Sequence, residues 1–378
     1  MTRTKQVLSV LAIVVAVGVG WLAYTVSHNA ECGTAPPLPE GGQRMKAITL
    51  RCYGPPEKAL KLEELEKPVP ADNELLVKVH AAAVNPLDWH YMRGEPYVMR
   101  MQAGTGAPSS TRLGVDFAGT VEAVGKSVTR FKPGDEIFGA KRGAFGEYVA
   151  VPEDRPLLMK PANVTFEQAA SVPVAAITAL QALRDKGHLQ AGQKVLINGA
   201  SGGVGTFAVQ IAKSMGAEVT GVCSTRNVDM VRSIGADHVI DYTQQDFTQG
   251  EERYDLIVDN VGNHSFLASR RVLKPDGIFV IVGGPSTGKW IGALTQPIKA
   301  AFLNPFVSQQ FVLFLADINE KDLTLVADLM QAGKVTPVID RRYSLSETPE
   351  AIAYLETGRA RGKVLISMVP DTPAPQPQ

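Results

Sequence analysis

The most constraining stretch of this chain is residues 194–217, KVLINGASGGVGTFAVQIAKSMGA. An apolar strand-like run ends in the turn Ser201-Gly202-Gly203-Val204-Gly205. The chain then enters a segment whose Val204, Ala208, Ile211 and Ala212 fall on one helical face. Against the pattern G-x-G-x-x-G the positions read Ala200, Gly202 and Gly205. Gly202 lets the backbone approach a pyrophosphate, Gly205 lets helix and strand pack closely, and the helix start turns free N–H groups toward negative charge. Ala200, Ser201, Gly202, Gly203, Val204 and Gly205 are therefore expected to cradle phosphate, with a purely structural turn as the alternative. Beyond the turn, EVTGVC, DHVIDY, DLIVDN and GIFVIVGG recur with helical stretches between them, which predicts βαβ units in a doubly wound parallel sheet.

The same turn also reads G-x-S-x-G over Gly199–Gly203, the motif that presents a hydrolase's nucleophilic serine. Such an enzyme needs its general-base histidine late in the chain. The last histidine of these 378 residues is His264, so a hydrolase using Ser201 is the weaker reading. A short-chain reductase needs Tyr-x-x-x-Lys, and no tyrosine here has a lysine four residues on. At the end of the second strand, where an NAD enzyme places a carboxylate on the ribose 2'-hydroxyl, the chain has Cys223-Ser224-Thr225-Arg226-Asn227. The hydroxyls of Ser224 and Thr225 with the Arg226 guanidinium suit a 2'-phosphate, so NADPH is expected over NADH, the alternative being a solvated loop arginine.

From Met45 the texture is strand-rich and punctuated by Gly and Pro, as in a small barrel. Lys+Arg and Asp+Glu both number 38 with no long basic run, so nucleic acid is not an expected partner. Residues 7–26, VLSVLAIVVAVGVGWLAYTV, carry no charge and predict one uncleaved transmembrane helix, which would make the lipid bilayer a partner and the cell membrane the location. Arg3 and Lys5 precede this span and no Lys or Arg follows until Arg44, a bias that places the body outside, whereas cofactor supply favours the cytoplasmic face. The three cysteines, Cys32, Cys52 and Cys223, form no C-x-x-C pair and read as free thiols, the latter two as small core residues. The apolar segment 289–314 is broken by Pro297 and Pro305; it reads as a lid, a homodimer surface or a core helix pair.

The motifs AAAVNPLDWHYMRG (81–94), GVDFAGTVEAVG (114–125), FKPGDEIFG (131–139), AASVPVAAITALQAL (169–183), INGASGGVG (197–205) and GRARGKVLI (358–366) together resemble the quinone oxidoreductase branch of the medium-chain dehydrogenase/reductase superfamily. The likeness covers nearly all of residues 45–368 and implies an α/β architecture. A Rossmann doubly wound parallel sheet would be inserted in a GroES-like β-barrel catalytic domain, preceded here by the transmembrane helix. The expected organisation is an anchor at 1–27, a tether at 28–44, the catalytic domain at 45–167, the NADPH-binding domain at 168–310, a return to the catalytic domain at 311–369 and a tail at 370–378.

Zinc-dependent members carry ligands where this chain has Asn85 and Val115, and their four-cysteine lobe is absent, so the resemblance implies zinc-independent chemistry. Hydride would pass from NADPH to a quinone or to the β-carbon of an α,β-unsaturated carbonyl compound, and the charge developing on the carbonyl oxygen needs stabilising. The family's loop beside the nicotinamide supplies Asn85, Tyr91 and Arg93 as candidates, with Asp88 orienting its neighbours. His90 stands where some relatives have an aromatic hydroxyl, as either a proton donor or a surface residue. The resemblance further implies Thr178, Asn260 and Val261 near nicotinamide and ribose, Tyr242 near the 2'-phosphate and Lys363 near the cofactor phosphates. An NADPH-binding membrane-anchored adaptor without turnover is the alternative function.

Overall fold

The computed structural model describes residues 3–284, 288–290, 298–300, 302 and 304–368, the side chains of 3–12 and Phe306 excepted. After helix α1 (Arg3–Ser27), strand β1 (Arg44–Leu50) pairs antiparallel with β2 (Leu60–Glu66) across the short α2 (Pro56–Ala59). Strand β3 (Glu74–Val84), ELLVKVHAAAV, alternates over Val77–His80 and is continuously apolar from Ala81. The first half pairs with β6 (Tyr148–Pro152), and the second half, buried on both faces, pairs with β15 (Lys363–Ser367). Along its other edge β3 pairs with β4 (Asp116–Val124), followed by β5 (Glu136–Ala140) and β7 (Leu157–Met159), while β14 (Ile339–Ser344) closes the far end of this seven-stranded sheet. Ile48, Leu75, Val77, Phe117, Ile137 and Phe145 fill its core.

Helix α3 (Pro86–Arg93) leaves the end of β3 and stops at Gly94, whose φ of +60° needs glycine. A Cβ there would also lie 2.6 Å from Arg100 Nε, at the start of α4 (Arg100–Ala103). Helices α5 (Phe166–Ala170) and α6 (Pro173–Gln181) lead into the second domain. There β8 (Lys194–Asn198), α7 (Gly203–Ser214), β9 (Glu218–Cys223), α8 (Val228–Ser233), β10 (His238–Asp241), β11 (Tyr254–Asp259), α9 (Phe266–Ser269), β12 (Leu273–Ile281) and β13 (Gln310–Leu313) build a parallel sheet in the order β10-β9-β8-β11-β12-β13. Helices α10 (Glu320–Gln331) and α11 (Thr348–Glu356) accompany the return to the first domain. The Rossmann order and its insertion are as the sequence predicts. The order of strand addition reverses between the parallel neighbours β8 and β11, so the crevice at their carboxyl ends is where a dinucleotide sits in such sheets.

Three expectations need correction. A helix does form over the expected span, but among the described residues no helix is long and apolar enough to cross a membrane, and the transmembrane anchor is not supported. The side chains of residues 7–12 of that span lie outside the described residues, and its exit is part of the body: Val26 is buried and Ala30 N donates to Gly106 O. Second, Cys32 and Cys52 are not free thiols but form a disulfide. The chain after α1 runs back along the first domain and brings their Cα atoms to 4.6 Å, a proximity their spacing in sequence could not reveal. Cys223 is free and buried. Third, residues 310–313 of the apolar segment are an edge strand paired with β12, not part of a helix pair; residues 291–297, 301 and 303 fall outside the described residues, as does the tail from 369.

Candidate active site

The glycine turn lies at the reversal point. Gly199, at φ +77°, swings the chain out of β8, and the N–H groups of Gly199 and Ala200 donate to Val222 O on β9. Gly205 cannot carry a side chain, since a Cβ there would lie 2.1 Å from Gly199 O. Gly202 enters α7 in extended conformation with no side-chain cap, leaving the first N–H groups of the helix free for an anion. Opposite, Val261 and Asn260 cover the turn; a Cβ on Gly199 would meet Val261 Cγ2 at 2.8 Å. Asn260 Nδ2 donates to Asn198 O, and Val261 N donates to the Asp259 carboxylate. Asn227 Nδ2 donates to both Ser201 Oγ and Ser224 Oγ. The buried Oδ1 atoms of Asn227 and Asn260 have no partner among the described residues, so the crevice holds two acceptors without donors beside an uncapped helix start. That donor and acceptor set fits a dinucleotide. Asn227 organises the turn from the start of α8 and carries no sequence signal of that role.

Ser201 Oγ is engaged by Asn227 at 3.0 Å and not by an imidazole, which removes the hydrolase reading. At the ribose end Ser224 is half-buried, whereas Thr225, Arg226 and Tyr242 are exposed. Tyr242 N donates to Cys223 O, which sets its backbone beside the end of β9. Arg226 Nη2 donates to Arg359 O at 2.6 Å, tying the strand end to the C-terminal segment. Thr225 Oγ1 donates to Asp241 at 2.6 Å. Asp241, a carboxylate at the end of the third strand that sequence reasoning missed, is held below the usual carboxylate range by Thr225 and Thr243. Thr178 is half-buried on α6, and its hydroxyl donates to Val174 O.

Lys363 is not placed as expected. Only 2% exposed, it passes its stem beside Gly203 and turns its ammonium away from the phosphate turn, donating to Asn85 Oδ1 at 2.6 Å. Asn85, 1% exposed, in turn donates Nδ2 to Asp116 Oδ2 at 2.9 Å, and its backbone N–H donates to Asp88 at 2.8 Å. Asp116 also accepts from Val174 N at the start of α6. Burial pushes Asp116 up to about 6 and Asp88 up to about 7, against the pull of Lys363 and their hydrogen bonds, and burial lowers Lys363. Asn85 thus has both side-chain functions committed and is a connector, not a free donor to a substrate.

Arg93 is also committed, to Glu356 on α11 through a bidentate ion pair that raises its pKa. His90 holds its Nδ1 2.7 Å from Glu95 O, and burial lowers its pKa, which opposes a role as charged proton donor. Tyr91 differs. Half-buried, its hydroxyl has no hydrogen-bond partner among the described residues, and the Arg142 guanidinium lies 4.0 Å from its ring centroid. Arg142, in the loop after β5, has no motif to mark it. Of the expected catalytic trio the structure leaves Tyr91 available.

The family pattern described as alcohol dehydrogenase GroES-like domain matches residues 71–162, and that described as zinc-binding dehydrogenase matches 234–366. The second match contains neither Asn85 nor Val115. The chain is 36% identical over 335 residues to NAD(P)H oxidoreductase RTN4IP1, mitochondrial, of Mus musculus, spanning 79% of this chain and 82% of that protein. It is 32% identical over 356 residues to 2-methylene-furan-3-one reductase of Solanum lycopersicum, over 90% and 83% of the two chains. The structure of the quinone oxidoreductase from Coxiella burnetii superposes with a TM-score of 0.73 at 32% identity, over 86% of this chain and 100% of the other.

Proposed function

Because this chain belongs to the zinc-independent, quinone oxidoreductase-like branch of the medium-chain dehydrogenase/reductase superfamily, we propose that it uses NADPH to reduce a quinone or an α,β-unsaturated carbonyl compound. The observation that carries this reading is the uncapped glycine turn at the β8–β11 reversal, flanked by the unpartnered amide oxygens of Asn227 and Asn260. Bound there, NADPH would supply the hydride. The phosphates would rest on the N–H groups of residues 203–205, and Ser224, Arg226 and Tyr242 would receive the 2'-phosphate.

Tyr91 would donate its hydroxyl to the substrate carbonyl oxygen as negative charge builds there, and Arg142, over the Tyr91 ring, would raise the positive potential around that oxygen. Asn85, Lys363 and Asp116 fix the wall behind this loop instead of a metal. The test is NADPH oxidation by the full chain with a panel of quinones and enones: turnover with at least one class is expected. NADPH binding without oxidation across the panel would favour the adaptor and overturn the enzyme reading.

A further inference from the structure

Among the described residues Arg100 is the largest fully buried side chain, and no carboxylate there pairs with it. Its guanidinium lies between the rings of Tyr53 and Tyr97, 4.3 and 4.5 Å from their centroids. Among the described residues all its hydrogen bonds go to backbone carbonyls. Nη1 donates to Val26 O at 3.0 Å and His28 O at 3.2 Å, at the carboxyl end of α1; Nε and Nη2 donate to Gly94 O at 2.7 Å and Arg93 O at 3.1 Å, at the carboxyl end of α3. A cation is thus shared between two helix C-termini, where unsatisfied carbonyls and the helix dipoles both favour positive charge. Helix α3 carries Tyr91, and among the described residues the exit of α1 is held to the body by buried Val26, by Ala30 N donating to Gly106 O, and by the bond from Cys32 to Cys52, next to Tyr53. Cys32 is exposed and Cys52 is 1% exposed, so a thiol reaches this bond from the Cys32 side.

We propose that residues 26–32 form a redox-released strap: the Cys32–Cys52 disulfide holds the exit of α1 against Arg100, Arg100 fixes the end of α3, and reduction of the disulfide loosens both. With a dithiol reductant the step balances. One thiolate attacks a sulfur of the bridge to form a mixed disulfide, and the second thiol closes on it. Two electrons and two protons then reside on the Cys32 and Cys52 thiols, and the reductant leaves as a cyclic disulfide. The consequence for turnover rests on the proposed function; the release does not, so the experiment reads backbone protection.

Full-length protein purified without reductant is alkylated under denaturing conditions, which should count a single free thiol, Cys223; three free thiols would overturn the proposal. Amide hydrogen exchange is then followed before and after dithiothreitol, and in Cys32→Ser, which changes the exposed partner. Exchange in 26–32 and 91–104 should accelerate by about tenfold or more in both cases while 194–217 keeps its protection. Unchanged exchange in 91–104 after confirmed reduction would overturn it, as would an equal acceleration in 194–217, which signals global unfolding.

Discussion

Asn85 shows what a side chain can lose by being well held. Its oxygen accepts from Lys363 and its nitrogen donates to Asp116, so the positive charge behind the loop is an ammonium. The neighbouring Asp88, fully buried and raised to about 7, makes a pH prediction with a definite sign. A carboxyl whose folded pKa exceeds its unfolded value contributes stability at low pH that is lost as pH rises through the folded value. Wild type should therefore lose stability relative to Asp88→Asn between pH 5 and 8, by roughly 2 kcal/mol in denaturant titrations; a flat difference would place the Asp88 proton elsewhere. Tyr91→Phe should lower kcat by about 100- to 1000-fold with NADPH affinity unchanged, as expected for one lost donor to a developing oxyanion. Arg226→Ala should raise the KM for NADPH by about tenfold and leave that for NADH nearly unaltered, the loss of one charge-assisted contact. Of these residues Arg226 is the one a local motif marks, through the absence of a carboxylate after EVTGVC. Tyr91 could not be told from Asn85 or Arg93, because what separates them is which partners have already claimed the other two, Asp116, Lys363 and Glu356, all distant in sequence.

Among the elements, the β8–turn–α7 unit was read nearly to the residue, since strand, glycines and amphipathic helix are local signals and the helix begins at Gly203. Its tolerance is correspondingly narrow. Gly205→Ala would force a methyl to within 2.1 Å of Gly199 O, so the turn must open; loss of NADPH binding and about 2 kcal/mol or more of stability are expected, readable by cofactor titration and thermal unfolding. The residues around α1 were read poorly for the opposite reason. An apolar run of this length signals a span by composition alone, while the contacts that draw its end onto the body come from Arg100 and Cys52, far along the chain. Composition likewise could not place β13, whose strand character depends on pairing with β12.

For the molecule as a whole, the two domains meet through bonds between segments that sequence motifs mark separately but cannot join. Gly362 N donates to Ser201 O, Asp116 accepts from Val174 N, and Gln210 exchanges hydrogen bonds with Thr336. The first sets the C-terminal return against the glycine turn and the last sets it against α7, so the crevice is formed by both domains and its far end stayed hidden from the sequence. The most direct test of the central claim uses the intact protein, an α,β-unsaturated ketone and NADPH carrying deuterium at the transferable C4 position. Deuterium should appear at the β-carbon of the saturated ketone in step with NADPH oxidation. A saturated product without deuterium, or NADPH that binds tightly and is never oxidised by any enone or quinone offered, would contradict it.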